Sequence, residues 1–340
     1  MERRALGASG LHVSALTFGG MSLGNSHIFN GISMPDDEAQ RVFDAALDAG
    51  IDTVDTANIY SEGRSEELLG RWVAGKRHRV ILCTKCRFRT NDFMEGRPTH
   101  GEVGLSRHSI IQACEASLRR LSTDYIDLLQ LHMQDQAVPI EETLRAVEDL
   151  VRAGKVRYVG CSNFTAYRLV QALWAADRRN LTSLTSIQLP WSLLQRDVER
   201  ELVPAARTFG LGVLVYSPLA RGFLSGKYRR GEEPPEGSRL SQWRSAFREY
   251  DEERSWEVLN AVTAAAKRHE TTPAAVALAW LLARAETSSV IIGVRSLAQL
   301  RENLAATSVR LSADELAILD QYSEPEWGYP YTLIRKYEPW

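Results

Sequence analysis

The chain has 340 residues, 44% of them hydrophobic and 25% charged, with a formal net charge of −2 and only four cysteines. That is enough apolar material for a full core, and the balanced charge excludes a chain-wide attraction to nucleic acid or an acidic membrane surface. Cys83, Cys86, Cys114 and Cys161 are too few for a disulfide scaffold and predict a reducing, cytoplasmic setting. The opening MERRALGASG lacks the apolar centre of a signal peptide, and no run is long enough to span a bilayer, so the sequons at Asn163 and Asn180 carry no weight.

In chain order, GASG at residues 7–10 predicts the turn of an N-terminal hairpin within residues 1–13. Short β-branched runs then alternate with amphipathic stretches: SALTFGG, IDTVDTA, RVILCTKC, YIDLLQLH, VRYVGCSN, LTSIQLPW, GVLVYSPL and SSVIIGV. The intervening helices carry their own stops and starts. PDDEAQRVFDAALDAG opens on Pro35 and acids and closes at Gly50, and IEETLRAVEDLVRAG closes at Gly154. Eight consecutive strand–helix units with no long structureless linker predict a closed (β/α)8 TIM barrel in a single domain, 1–340, with its core at about 14–311. Three parts lie outside the repeat: the hairpin, a long loop at 220–250 after the seventh barrel strand, and an extension, 312–340.

Barrels carry their chemistry where strands end. The second barrel strand ends at Asp55 with Tyr60 in the following loop, the third at Lys85, and the fourth at His132. Each alone reads as a helix cap, a solvated charge or a structural histidine; together at neighbouring strand ends they form a set with complementary chemistry. Bringing a tyrosine down from its ordinary value of about 10 to exchange protons near neutrality takes about 4 kcal/mol, which an adjacent cation can supply. Lys85 is that cation, Asp55 keeps it charged, and His132 can donate a hydrogen bond to a carbonyl oxygen. This polarises a C=O and gives it a proton. The hydride must come from a bound nicotinamide or flavin.

The segments AGIDTVDTANIYSEGRSEELLG, VILCTKC, YIDLLQLHMQD, AGKVRYVGCSNF, YSPLARGFLSGKY and IIGVRSLAQLRENL, spread over nearly the whole chain, resemble the aldo-keto reductase superfamily, in the branch that includes potassium-channel β-subunit-like proteins. The resemblance implies Tyr60 as general acid, Asp55 and Lys85 tuning it, and His132 orienting the substrate carbonyl. It implies that Ser162, Asn163 and Gln188 hold the nicotinamide carboxamide and that Tyr216 stacks on the ring. Ser217, Leu219, Gly222 and Lys227 would serve the pyrophosphate, and Arg239, Arg295, Gln299, Glu302 and Asn303 the adenosine end. Gly20, Met21 and Gly293 complete the expected cofactor contacts. An arginine at a strand-to-helix turn suits a 2′-phosphate, so Arg295 points to NADPH. Two departures stand out. Ile291-Ile292-Gly293 replaces the common Ile-Pro-Gly, and Trp191 follows the carboxamide glutamine where relatives often carry tyrosine, which makes Trp191 a candidate wall of the substrate pocket.

Trp327 and Tyr329 in the aromatic tail PEWGYPYTLIRKYEPW are expected to fold over the barrel mouth and wall the same pocket. Other motifs lead nowhere. Cys83-Thr-Lys-Cys86 sends its thiols to opposite faces of a strand, the 19–24 segment has neither dinucleotide nor P-loop spacing, and Trp174, Trp243, Trp256 and Trp280 read as helix packing. The reading is thus an NADPH-dependent reductase of an aldehyde or ketone with cofactor binding first, as a monomer or small homo-oligomer. Two alternatives are a cofactor-sensing module without turnover and a phosphate-sugar isomerase on the same barrel.

Overall fold

The structure is a computed structural model that describes residues 1–24, 34–90 and 103–338. Two short strands, β1 (Arg3–Ala5) and β2 (His12–Ser14), form the expected antiparallel hairpin. Its turn requires glycine: Gly7 has φ +61°, and a Cβ there would stand 2.3 Å from the carbonyl oxygen of Gly210.

Eight parallel strands follow: β3 (Leu16–Gly19), β4 (Thr53–Asp55), β5 (Ile81–Cys86), β6 (Ile126–Leu131), β7 (Val156–Ser162), β8 (Ser186–Pro190), β9 (Gly212–Tyr216) and β10 (Thr287–Ile292). Each pairs with its chain neighbour and β10 pairs with β3, which closes the barrel. The hairpin's Leu6, Leu11 and Val13 pack with Cys83, Leu128, Leu214 and Ile291 as one apolar plug, so the barrel is filled from below. Cys86, three residues from Cys83, belongs instead to the cluster between strands and helices, as strand alternation requires.

The helices are α1 (Asp36–Asp48), α2 (Arg64–Val73), α3 (Arg107–Leu121), α4 (Ile140–Arg152), α5 (Ala166–Arg179), α6 (Leu202–Thr208), α7 (Arg239–Gln242), α8 (Arg244–Tyr250), α9 (Glu253–Arg268), α10 (Pro273–Leu282), α11 (Leu297–Ala305), α12 (Ala313–Tyr322) and α13 (Tyr331–Tyr337). In α4, Ile140, Leu144, Val147 and Leu150 fall on one face and are buried, each stabilising the fold by about 1.5–3 kcal/mol. Gly50 and Gly154 stop α1 and α4 in left-handed conformations, at φ +86° and +71°.

The 220–250 segment is more ordered than the expected loop. Ser238 caps α7 by accepting a hydrogen bond from the Ser241 backbone N–H. Phe223 anchors the segment on Trp256 and Tyr228, with ring centroids 4.8 and 5.9 Å away. The expected packing role also fails for Trp174, which is 59% exposed on α5 with Arg178 stacked on it at 4.8 Å.

The tail docks on the side of the barrel where the strands end. Arg254 donates to the carbonyls of Ser323 and Glu324, Arg200 to that of Glu326, and Tyr331 donates to Glu201. These contacts lay it along the segment after β8 and the start of α9. Trp327 donates to Glu324 and carries Arg335 on its ring at 4.0 Å, while Tyr329 is 89% exposed. Among the described residues, neither aromatic has a hydrogen bond or ring contact with Asp55, Tyr60, Lys85 or His132.

Candidate active site

Strand register gathers the catalytic candidates on one rim. Asp55 is the last residue of β4, Lys85 the fifth of six in β5, and His132 directly follows β6. The backbone after β4 keeps its pairing, with Thr56 and Asn58 donating to the carbonyls of Cys83 and Lys85. Tyr60 then enters a tight turn. Ser61, Glu62 and Gly63 are all left-handed, at φ +48°, +56° and +89°. Two consecutive non-glycine residues in that region store strain, and the Ser61 hydroxyl holds the turn by donating to the Leu23 carbonyl at 2.6 Å.

Lys85 is completely buried and its ammonium makes three hydrogen bonds: to Asp55 Oδ2 at 2.5 Å, to the Thr56 carbonyl at 2.9 Å and to the Tyr60 hydroxyl at 3.1 Å. Asp55 Oδ1 accepts from Gln188 at 2.7 Å and from Gln130 at 3.0 Å, so both carboxylate oxygens are satisfied without solvent. A buried charge pair survives only with such partners. Gly160 makes room for it, since a Cβ there would lie 2.4 Å from Ser186 Oγ and 3.5 Å from Gln130 Cγ.

Burial alone would push Lys85 down, but Asp55 and Tyr60 outweigh it and raise its pKa to about 12. Tyr60 differs from expectation. Burial raises its pKa and outweighs the opposing pull of Lys85, so in the ligand-free molecule the phenol keeps its proton. Burial, reinforced by Lys85 and Arg87, holds His132 well below the ordinary histidine range, hence neutral. Its Nδ1 is buried with no hydrogen-bond partner among the described residues. The tautomer with a bare lone pair there and the proton on Nε2 costs least, because a buried N–H donor without a partner is the dearer arrangement. The His132 ring stands edge-on to Tyr60 at 6.0 Å and to Phe88 at 5.0 Å.

The expected cofactor residues surround the same rim. Ser162 ends β7 and Gln188 lies opposite it on β8. Asn163, left-handed at φ +53°, donates to the His132 carbonyl at 2.9 Å and to Ser162 Oγ, and accepts from the Tyr216 hydroxyl at 2.9 Å. Ser217 and Gly222 are left-handed in the turn after β9 that also holds Leu219. Four cations converge from separate elements. Burial, then Arg295, depresses Lys227; burial, then Arg221, lowers Arg239 to about 10. Arg239 Nε is buried without a partner among the described residues. Arg295 begins the turn into α11, its N–H donating to Gln299 and its guanidinium to the Gly237 carbonyl. On α11, Glu302 is exposed and Asn303 buried.

One expectation changes. Trp191 is 2% exposed, its indole N–H donating to Glu199 and its ring edge-on to Trp280 of α10 at 6.1 Å. It is a packing residue behind the strand, because it stands three positions from inward-facing Gln188 and so takes the opposite face. The Gly20 site is also tightly packed: a Cβ there would lie 2.9 Å from Ser65 Oγ and 3.1 Å from the Asp55 carbonyl oxygen. Met21 follows in the same short turn, and Gly293 is open, with no atom near an added Cβ. Sequence reasoning missed Gln130, Phe88 and Arg221. Gln130 pairs with Lys85 in register and could have been found by strand parity. Among the described residues, no group of three or more His, Cys, Asp or Glu could hold a metal ion, and no helix is long and apolar enough to cross a membrane.

A family model described as the aldo/keto reductase family matches residues 15–324. The chain is 37% identical to the uncharacterised oxidoreductase YrpG of Bacillus subtilis over 94% of its own length and 95% of that protein's. It is 35% identical to the aldo-keto reductase AMT2 of Alternaria alternata, covering 96% and 93% of the two chains, and 35% identical to the aldo-keto reductase AFTS1 of the same organism, covering 93% and 90%.

Proposed function

Because the chain belongs to the aldo/keto reductase family, an oxidoreductase family acting on small carbonyl compounds, we propose that it reduces an aldehyde or ketone with NADPH and that Tyr60 supplies the proton. The observation that carries this reading is the ammonium of Lys85 held between Asp55 Oδ2, at 2.5 Å, and the Tyr60 hydroxyl, at 3.1 Å. Tyr60 stays protonated until negative charge develops on a substrate oxygen beside it. As its proton leaves, the phenolate forms against a fixed positive charge that needs no reorganisation. His132, neutral with its proton on Nε2, donates to the same oxygen and polarises the carbonyl. A pure sensor would need neither.

The convergent, partly desolvated cations Lys227, Arg239 and Arg295 suit a dinucleotide's phosphates, whose binding would relieve their mutual repulsion. Ser162, Asn163 and Gln188 would hold the carboxamide, and Tyr216 would support the ring. Gln188 donates its amide to Asp55 and leaves Oε1 without a hydrogen bond among the described residues, ready to accept a carboxamide N–H. Backbone at Gly20, Met21, Ser217, Leu219, Gly222 and Gly293, with Gln299, Glu302 and Asn303, completes the cradle. When bound, the nicotinamide supplies the hydride. Arg295 favours the 2′-phosphate and hence NADPH over NADH.

The test is consumption of NADPH across a carbonyl panel, with NADH as alternative donor and Tyr60→Phe alongside. Turnover lost in the variant while NADPH still binds supports the reading. Tight binding with no turnover selects the sensor alternative, and no binding overturns the cofactor assignment.

A further inference from the structure

Beyond Lys85 the chain leaves β5 through Arg87 and Phe88, two residues with no part in the proton transfer. Their position is fixed by backbone contacts: Asn58 donates to the Phe88 carbonyl at 2.8 Å, and the Gly104 N–H to the Arg87 carbonyl at 2.8 Å. The Phe88 ring stands 5.0 Å from the His132 ring, and the Arg87 guanidinium lies 4.9 Å from the Phe88 ring. His132, Phe88 and Arg87 thus form a continuous path from the carbonyl-polarising imidazole to a cation.

Among the described residues that cation is poorly served. Arg87 is half-buried, and its Nε donates to the Gln134 carbonyl at 3.2 Å, its one hydrogen bond among the described residues. No described carboxylate is within ion-pair distance. The nearest acidic influence, Asp135, already accepts from the backbone of Leu105 and of Ala137 through its two oxygens. A partly desolvated guanidinium whose terminal nitrogens make no hydrogen bond among the described residues gains from a planar anion, which it can bind through two parallel hydrogen bonds.

We propose that Arg87 and Phe88 form a subsite for the end of the substrate remote from its carbonyl, with Phe88 supporting a flat body and Arg87 binding a carboxylate. The favoured substrates are then aldehydes or ketones that carry a carboxylate, separated from the carbonyl by about the length of an aromatic ring. This inference rests on the carbonyl-reductase reading and names its substrate class.

The experiment compares 4-carboxybenzaldehyde with benzaldehyde on the full-length chain. Affinities are read by calorimetry on the chain saturated with NADP+, which has no hydride to give, so no turnover occurs. The native chain is expected to bind the carboxylated aldehyde at least about tenfold more tightly, with the ratio falling close to one in Arg87→Gln and recovering in part in Arg87→Lys. Circular dichroism checks that each variant is folded. A ratio near one in the native chain, or a preference that survives intact in Arg87→Gln, overturns the subsite. NADPH-dependent reduction of benzaldehyde is measured separately; its absence overturns the underlying reading, while the affinity ratio still decides the subsite.

Discussion

The two ends of the barrel are built on opposite principles. At the base, Leu6, Leu11, Val13, Leu128 and Leu214 fill the interior, and the few polar groups close on one another: Thr17 with Ser289, Ser289 with the Ser14 carbonyl, and the Ser14 N–H with Thr53. At the mouth, a lysine and an aspartate are buried together, a histidine nitrogen has no partner among the described residues, and Ser61 and Glu62 hold left-handed backbone. The base obeys the rules that make a fold stable. The mouth breaks them, and rule-breaking that the surrounding structure supports is where chemistry is expected.

Substitutions at each end should therefore separate activity from stability. The largest effect is expected from Tyr60→Phe, which should lower kcat by about 10²–10⁴-fold and barely move the melting temperature, since the lost hydroxyl leaves Lys85 paired with Asp55. In the native enzyme, reduction should show no inflection near the ordinary histidine value, because His132 is already neutral. It should fall only above about pH 10, as Tyr60, whose pKa is raised, loses its proton. Next, Lys85→Met should cost about 3–5 kcal/mol in denaturant titration by stranding the Asp55 charge, and the double variant with Asp55→Asn should recover much of that. A double variant no more stable than the single one would mean that the pair is not what holds this end together.

At the base, Leu128→Ala should cost about 2–5 kcal/mol and leave kcat near the native value. A fall in kcat comparable to that of Tyr60→Phe would erase the contrast. The mildest effect belongs to neither end. Glu315 is held down to about pH 2 by the Ser312 N–H, then by His269 and Arg268. Its stabilisation is present above the ordinary carboxylate value of about 4.3 and lost as pH falls toward 2. Glu315→Gln should remove about 1 kcal/mol at neutral pH and flatten that acid limb in thermal melts.

The barrel was legible because strand and helix periods alternate without interruption and because Gly50 and Gly154 mark where helices stop. The four residues Asp55, Tyr60, Lys85 and His132 were legible as strand-end groups with matched chemistry. The direction of the Tyr60 pKa was not, since it depends on how completely the phenol is buried, and no local pattern states that. Trp191 was misread although its parity with Gln188 held the answer: chemical analogy outweighed the strand alternation. The tail's aromatics have no period to orient them, and their anchors, Arg200, Glu201 and Arg254, are distant in sequence. Such long-range pairings are invisible to a local reading.

The plug formed by the hairpin has a kinetic corollary. A barrel sealed at one end is a blind shaft, so every molecule that reaches Lys85 and Tyr60 must arrive and depart through one opening. Whatever lodges deeper has to enter first and leave last. An ordered sequence of binding and release would then be a matter of traffic rather than of affinity, set by Leu6, Leu11 and Val13, at the end remote from the reaction.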